Sequence, residues 1–150
     1  MSRIILLDSG PLGLITNPSA SQENRECNAW MQSRLRQGDR VMVPAISDYE
    51  VRRELLRAEK TKGLARLDGL KSAVGYIPLN TETLFLAAKF WAQARRSGKT
   101  TAPDLALDGD VILCAQAAEV ANHGHEVIIA TTNIKHLATF ADARLWTEID

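Results

Sequence analysis

The stretch RIILLDSGPL, residues 3–12, runs aliphatic side chains together, stops on an acid at Asp8, and continues into Ser9, Gly10 and Pro11, residues that turn a chain. It reads as a short strand with a carboxylate at its carboxyl end. Four further runs share this character: RVMVPAI (40–46), VGYIPL (74–79), EVIIATT (126–132) and ARLWTEI (143–149). Between them the spacing of apolar residues predicts helices over 21–37, 47–72, 81–97 and 109–123, with a small turn or helix over 134–140. In the 81–97 segment Leu84, Ala87, Ala88, Trp91 and Ala94 recur at three- and four-residue spacings, the mark of a core-facing stripe. Strands that alternate with helices imply crossover units, hence an α/β fold with a parallel sheet and helices on both faces. The polar, basic segment 95–104 reads as an exposed loop.

The 150 residues suit one domain spanning 1–150, large enough for a core of its own. Because 18 Lys and Arg cancel 18 Asp and Glu, a protein that coats nucleic acid non-specifically is disfavoured, although a basic rim around an acidic site would leave that total unchanged. Cys27 and Cys114 each lie in an apolar helical pattern, as buried thiols of a reducing compartment do. Too few apolar residues precede Asp8 for a signal sequence, and no segment approaches the length that crosses a bilayer. A cytoplasmic protein with no membrane contact is the expectation.

The acids carry the functional signal. Asp8 lies at the strand edge where parallel sheets bind ligands, although position alone equally allows it to cap the next turn. In ISDYEVRRELLRAE (46–59), Ser47 or Asp48 fits a helix cap, and Glu50 and Glu54 then share one face. For Glu54 and Glu59 a solvated stripe of Glu and Arg pairs is the favoured reading. In LALDGDVILCAQAAEV (105–120), Asp108 fits an N-cap and Asp110 the first turn, where the helix dipole welcomes an anion. Capping requires only one of them, and Asp104 adds a third. IIATTN (128–133) closes the fourth strand on Thr131, Thr132 and Asn133.

If Asp8, Glu50 and Asp110 converge with Asn133, they need protons or a cation, since two charges about 5 Å apart repel by about 3 kcal/mol at an effective dielectric near 20. Oxygen donors without Cys or a well-placed His match Mg²⁺ or Mn²⁺ rather than Zn²⁺. His123 and His125 flank Gly124 at a helix end, where C-cap and turn duties account for them. Such a site suits metal-assisted attack of water on a phosphodiester. The GKT at 98–100 is no phosphate loop, because Gln93 stands where that motif requires Gly.

LLDSGPL near the start, PAISDYEVRREL after the second strand, DGDVILCAQA in a late helix and IIATTNIKHL after the next strand resemble, in order and approximate spacing, the PIN-domain ribonucleases. The similarity spans nearly the whole chain and is nearest to the toxin subunits of bacterial VapBC toxin and antitoxin pairs. It implies a three-layer α/β/α domain with a central, mostly parallel five-stranded sheet, Mg²⁺ or Mn²⁺ in an acidic pocket, and endonucleolytic cleavage of RNA. By motif, Asp8, Glu50 and Asp110 match the metal-binding acids and Asn133 the Asp or Asn of the last motif. Ser9 and Thr131 match the small hydroxyl residues that line such sites, and Asp108 a cap or an outer water ligand. Two departures stand out: Asn133 is neutral where many relatives carry Asp, which bears on a second metal, and Glu54 sits close enough to Glu50 to be mistaken for it. The same resemblance implies a homodimer and a small antitoxin as partner. Arg52, Arg53, Lys99, Lys135 and His136 are candidate RNA phosphate ligands, each equally readable as surface charge.

Two other readings compete. One is a PIN-like interaction module that is catalytically weak or inactive, its acids serving caps and solubility. The other, a phosphatase with Asp8 as nucleophile, lacks the acid such enzymes commonly place two residues on, where Gly10 stands.

Overall fold

The computed structural model describes residues 2–98, 103–134 and 136–150. Its most apolar strand, β1 (Ile4–Leu7), is fully buried and takes the centre of the sheet. Parallel partners flank it, β2 (Arg40–Pro44) on one side and β4 (Val127–Thr131) on the other. Beyond them lie β3 (Tyr76–Ile77) and β5 (Ala143–Leu145), giving the all-parallel order β3-β2-β1-β4-β5.

Alternation along β1 divides the core in two. Ile5 and Leu7 face α1 (Ser9–Thr16), α2 (Gln22–Arg36), α3 (Ala45–Arg57) and α4 (Thr61–Val74), packing with Leu12, Met31, Val51 and Leu67. Ile4 and Leu6 face α6 (Asp104–Asn122) through Leu113, Cys114 and Ala117. On the outside of α6, α5 (Thr81–Arg96) packs Ala87 and Ala94 against Leu107, Val111 and Ala115. The chain steps outward from β1 to β3 with its helices on one face, then returns to β4 with α5 and α6 on the other. Right-handed crossovers demand this change of face when the direction of travel reverses. The reversal lies between β1 and β4, and in open parallel sheets the crevice at the carboxyl ends of such a strand pair is where ligands bind.

The five strands and the parallel order match the expected three-layer fold, but several boundaries differ. Ser9, Gly10 and Pro11 open α1 instead of forming a turn; Pro11 is tolerated because amides in a first helical turn have no intrahelical acceptor to lose. The α3 helix begins at Ala45, so neither Ser47 nor Asp48 is its cap; Pro44 holds that position without a side-chain bond. The helix expected over 47–72 is two helices. Glu59 adopts a left-handed φ of 55°, its N–H bonds Leu56 O at 3.1 Å, and Lys60 N–H bonds Leu55 O at 2.8 Å, a Schellman end that redirects the chain into α4. α6 starts at Asp104, five residues before the expected boundary, while β3 and β5 are shorter than their apolar runs.

Left-handed backbone at a non-glycine residue costs about 1–2 kcal/mol, from which the extra unfolded-chain freedom of Gly must be deducted. Glu59→Gly is therefore expected to stabilise the chain by about 0.5 kcal/mol or more, seen as a higher urea midpoint at unchanged slope. A lower midpoint would mean that the turn carries no strain.

Candidate functional site

Four elements deliver polar side chains to that crevice. Asp8 leaves the end of β1 and is the N-cap of α1, so the capping and ligand-edge readings both apply to it. Its Oδ1 accepts Ser9 N–H at 2.8 Å, and its Oδ2 accepts the Thr131 hydroxyl at 2.7 Å from the end of β4. Thr131 is fully buried, and its Oγ1 in turn accepts Asn133 N–H at 3.0 Å. The switch point is thus bridged by side chains. A carboxylate has about four lone-pair positions, so one bond to each oxygen fixes Asp8 and leaves it acceptor capacity.

Glu50 enters from the second turn of α3 and Asp110 from the second turn of α6, both half-buried. Glu50 packs against Gly109, the residue before Asp110, and the charge of Asp8 acts on both acids. Burial raises the Asp8 carboxyl, opposed by its bonds from Thr131 and Ser9. Burial, then the charge of Asp8, pushes Glu50 up to about 7, with Arg53 pulling it back and Asp110 adding to the rise. Asp110 is pushed up to about 6 by burial and by Asp8, with His136 opposing. The charge of Asp8 makes both neighbours harder to ionise. The helix dipole has no part in placing Asp110, since a second-turn residue lies beyond its reach.

A close approach of two helices seats Glu50. A Cβ built on Gly109 would lie 2.7 Å from Glu50 Oε2, so the bare backbone at this buried point of α6 lets the carboxylate sit where it does. On the other side, a Cβ on Gly10 would lie 2.5 Å from Thr132 Oγ1, which lets the loop after β4 close over α1. Both glycines lie inside helices, where Gly costs about 1 kcal/mol relative to Ala, and packing accounts for that cost.

Among the described residues no three His, Cys, Asp or Glu side chains form a ready-made group that could hold a metal ion as they stand. The donor set nevertheless fits a hard cation. Mg²⁺ keeps several of its waters and binds through one or two carboxylates, so spread oxygen donors with raised proton affinity suit it better than they suit a zinc-type shell of Cys and His.

The sequence matches no protein-family model, and no curated protein matches it significantly. Solved structures do match. A chain in the crystal structure of FitAcB from Neisseria gonorrhoeae is 17% identical at a TM-score of 0.69, covering 97% of this chain and 99% of that one. A chain of VapBC-1 from nontypeable Haemophilus influenzae is 14% identical at 0.70, with the same coverages. A third, from VapBC2 of Rickettsia felis bound to a DNA fragment from their promoter, is 15% identical at 0.66, covering 95% and 96%. The chain has the fold of these proteins.

Within that fold the other candidates separate. Asn133 is exposed and joins the site through its backbone bond to Thr131. Asp108 is neither cap nor neighbour of Asp110: it lies on a different face of α6, exposed, in a shallow groove with Leu84 and Trp91 of α5. Arg52 is committed elsewhere, to Asp48 at 3.0 Å and Asp68 at 2.6 Å, and with Lys71 on Asp48 at 3.2 Å it clamps α3 to α4. Arg53 and His136 do act on Glu50 and Asp110 respectively. Lys99 and Lys135 lie outside the described residues. Glu54 pairs with Arg57 at 2.6 Å on the exposed side of α3, as a solvated pair. Asp104 pairs with Arg95 at 2.7 Å. His123 is the C-cap of α6. Cys27 and Cys114 are free and buried, each thiol pushed up to about 12 chiefly by burial.

The raised carboxyls set a pH dependence. Below about pH 4 they are protonated whether the chain is folded or not; as pH climbs towards 7 the unfolded chain ionises them while the folded chain retains the proton, so their contribution to stability falls across that window. The metal-free unfolding temperature is expected to decline between about pH 5 and 8, with Mn²⁺ restoring it most at the upper end, because a cation binds only the ionised forms. Absence of any Mn²⁺ effect at high pH would contradict the proximity of these acids.

Proposed function

We propose that the chain is a PIN-type, metal-dependent endoribonuclease and the toxin of a toxin–antitoxin pair. The observation that carries this reading is the meeting of Asp8, Glu50 and Asp110, from three separate elements, at the carboxyl-edge crevice of a parallel sheet, with proton affinities raised by burial and by one another. Asp8, Glu50 and Asp110 would hold Mg²⁺ or Mn²⁺, which would supply an activated water and charge neutralisation at a phosphodiester. Ser9 and Thr131 orient Asp8 by one hydrogen bond to each oxygen, and Asn133 holds Thr131 in register through its amide. Arg53 brings positive charge beside Glu50 and His136 a hydrogen-bonding ring beside Asp110, where substrate phosphate would lie.

The toxin assignment draws on the fold shared with chains from VapBC and FitAcB structures. It brings with it a small antitoxin as partner, a homodimer, and a cytoplasmic location in keeping with two free buried thiols. No helix among the described residues is long and apolar enough to cross a membrane. The deciding assay is cleavage of a mixed RNA pool by purified protein in Mg²⁺ or Mn²⁺, with EDTA as control. Cleavage that EDTA abolishes is the expected result. Neither cleavage nor metal binding in millimolar Mg²⁺ would leave the inactive interaction module.

A further inference from the structure

A groove of about 690 Å³ runs between α1 and α3, and its inner end reaches the acidic site through Ser9, Gly10 and Glu50, which line it. From there the two walls differ in character. The α1 wall is almost bare: Ser9, Gly10 and Gly13 present little beyond backbone, and nothing lies within 4 Å of where a Gly13 Cβ would sit. The α3 wall carries Arg53, Arg57 and, just past the helix end, Lys60, all exposed, with the carboxylate of Glu54 between the two arginines and paired to Arg57. A spacing of four residues sets Arg53 and Arg57 along one side, about 6 Å apart at the helical rise, and Lys60 follows where the chain turns into α4. Stacked nucleotides of a single strand advance about 3.4 Å each, so the two arginines lie about two phosphates apart and Lys60 extends the row.

We propose that this groove is the path by which single-stranded RNA leaves the scissile position, its phosphates following Arg53, Arg57 and Lys60 and its sugars lying on the bare face of α1. The inference rests on the ribonuclease reading of the adjoining acids and adds the strandedness and course of the substrate. Charge selects the occupant: three cations against Glu54 leave the outer wall basic, which complements a polyanion, and Arg57 is held by the exposed Glu54, a partner that a phosphate can replace. Duplex RNA does not suit a slot walled by two helices, because its strands are paired and its bases turned inward.

The test is binding of a fluorescent, mixed-sequence, single-stranded RNA pool to the full chain, titrated between about 50 and 200 mM salt, beside cleavage of the same pool in Mn²⁺. Each phosphate contact on a single strand contributes about 0.7 to the slope of log affinity against log salt, so the combined change Arg53→Gln, Arg57→Gln and Lys60→Gln is expected to flatten the slope by about 2. Gly13→Leu leaves every charge in place, fills the groove from the α1 side and improves helix propensity, so it should weaken binding by about tenfold or more with no loss of thermal stability. If the parent cleaves RNA while both variants bind like the parent, the path is wrong and the nuclease reading stands, leaving the groove to a protein ligand. If the parent neither binds nor cleaves RNA, both fall.

Discussion

Asp110→Asn should leave the chain folded, make it more resistant to unfolding in the absence of metal near pH 7.5, and abolish RNA cleavage. The two effects have one cause. At that pH Asp110 is ionised against burial and against the charge of Asp8, so the folded state bears a repulsion that the unfolded chain lacks. Asn keeps the shape and removes the charge, and each kcal/mol recovered raises the unfolding temperature of a chain this size by about 2–4 °C. The same charge is what a cation would use. A unit charge about 5 Å away is worth about 3 kcal/mol at an effective dielectric near 20, so its loss should lower metal-dependent cleavage by about a hundredfold or more. Unfolding temperature, Mn²⁺ titration and cleavage of the RNA pool should be measured on the same preparations. Cleavage at the parental rate would remove Asp110 from the site, whatever happened to stability.

Such opposition between stability and activity explains which parts of the molecule the sequence discloses. The strands were legible because β1, β2 and β4 are central and buried, and the aliphatic runs that burial demands are visible without a structure. Asp8 was legible for a related reason, as an acid interrupting an apolar run at an edge. Boundaries that depend on one backbone conformation were not. Nothing in AEKTKG marks Glu59 as left-handed, because Glu seldom adopts that region, and the α3–α4 break therefore reads as continuous helix. Likewise SGPL carries turn residues, yet Pro11 belongs to a helix, because in a first turn its missing amide costs nothing. Sequence position also left Arg52 open between phosphate ligand and surface charge. Its guanidinium reads as a phosphate ligand until Asp48 and Asp68, the latter sixteen residues away, are seen to occupy it. Arg57 and Lys60 were passed over because their relation to the acidic site runs through a groove between helices, which spacing along one helix does not reveal.

Gly109→Ala should reduce metal affinity and cleavage by about tenfold or more while the fold holds. An alanine is ordinarily favoured over Gly inside a helix by about 1 kcal/mol, so on propensity alone this substitution stabilises α6. Its methyl carbon, however, would stand 2.7 Å from Glu50 Oε2, well inside contact distance. What meets it is the far end of a flexible, half-buried side chain and no backbone, so Glu50 yields by rotating and the helices need not separate. The displacement falls on a proposed metal ligand, and a misplacement of about 1 Å costs on the order of a hundredfold in rate. Combining Gly109→Ala with Glu50→Asp provides the internal check: the shorter side chain clears the methyl, so in the Gly109→Ala background Glu50→Asp should cost less cleavage than it does in the parent. Strict additivity of the two substitutions, with undiminished Mn²⁺ binding in Gly109→Ala, would show that Glu50 works from some other position and that the glycine serves packing alone.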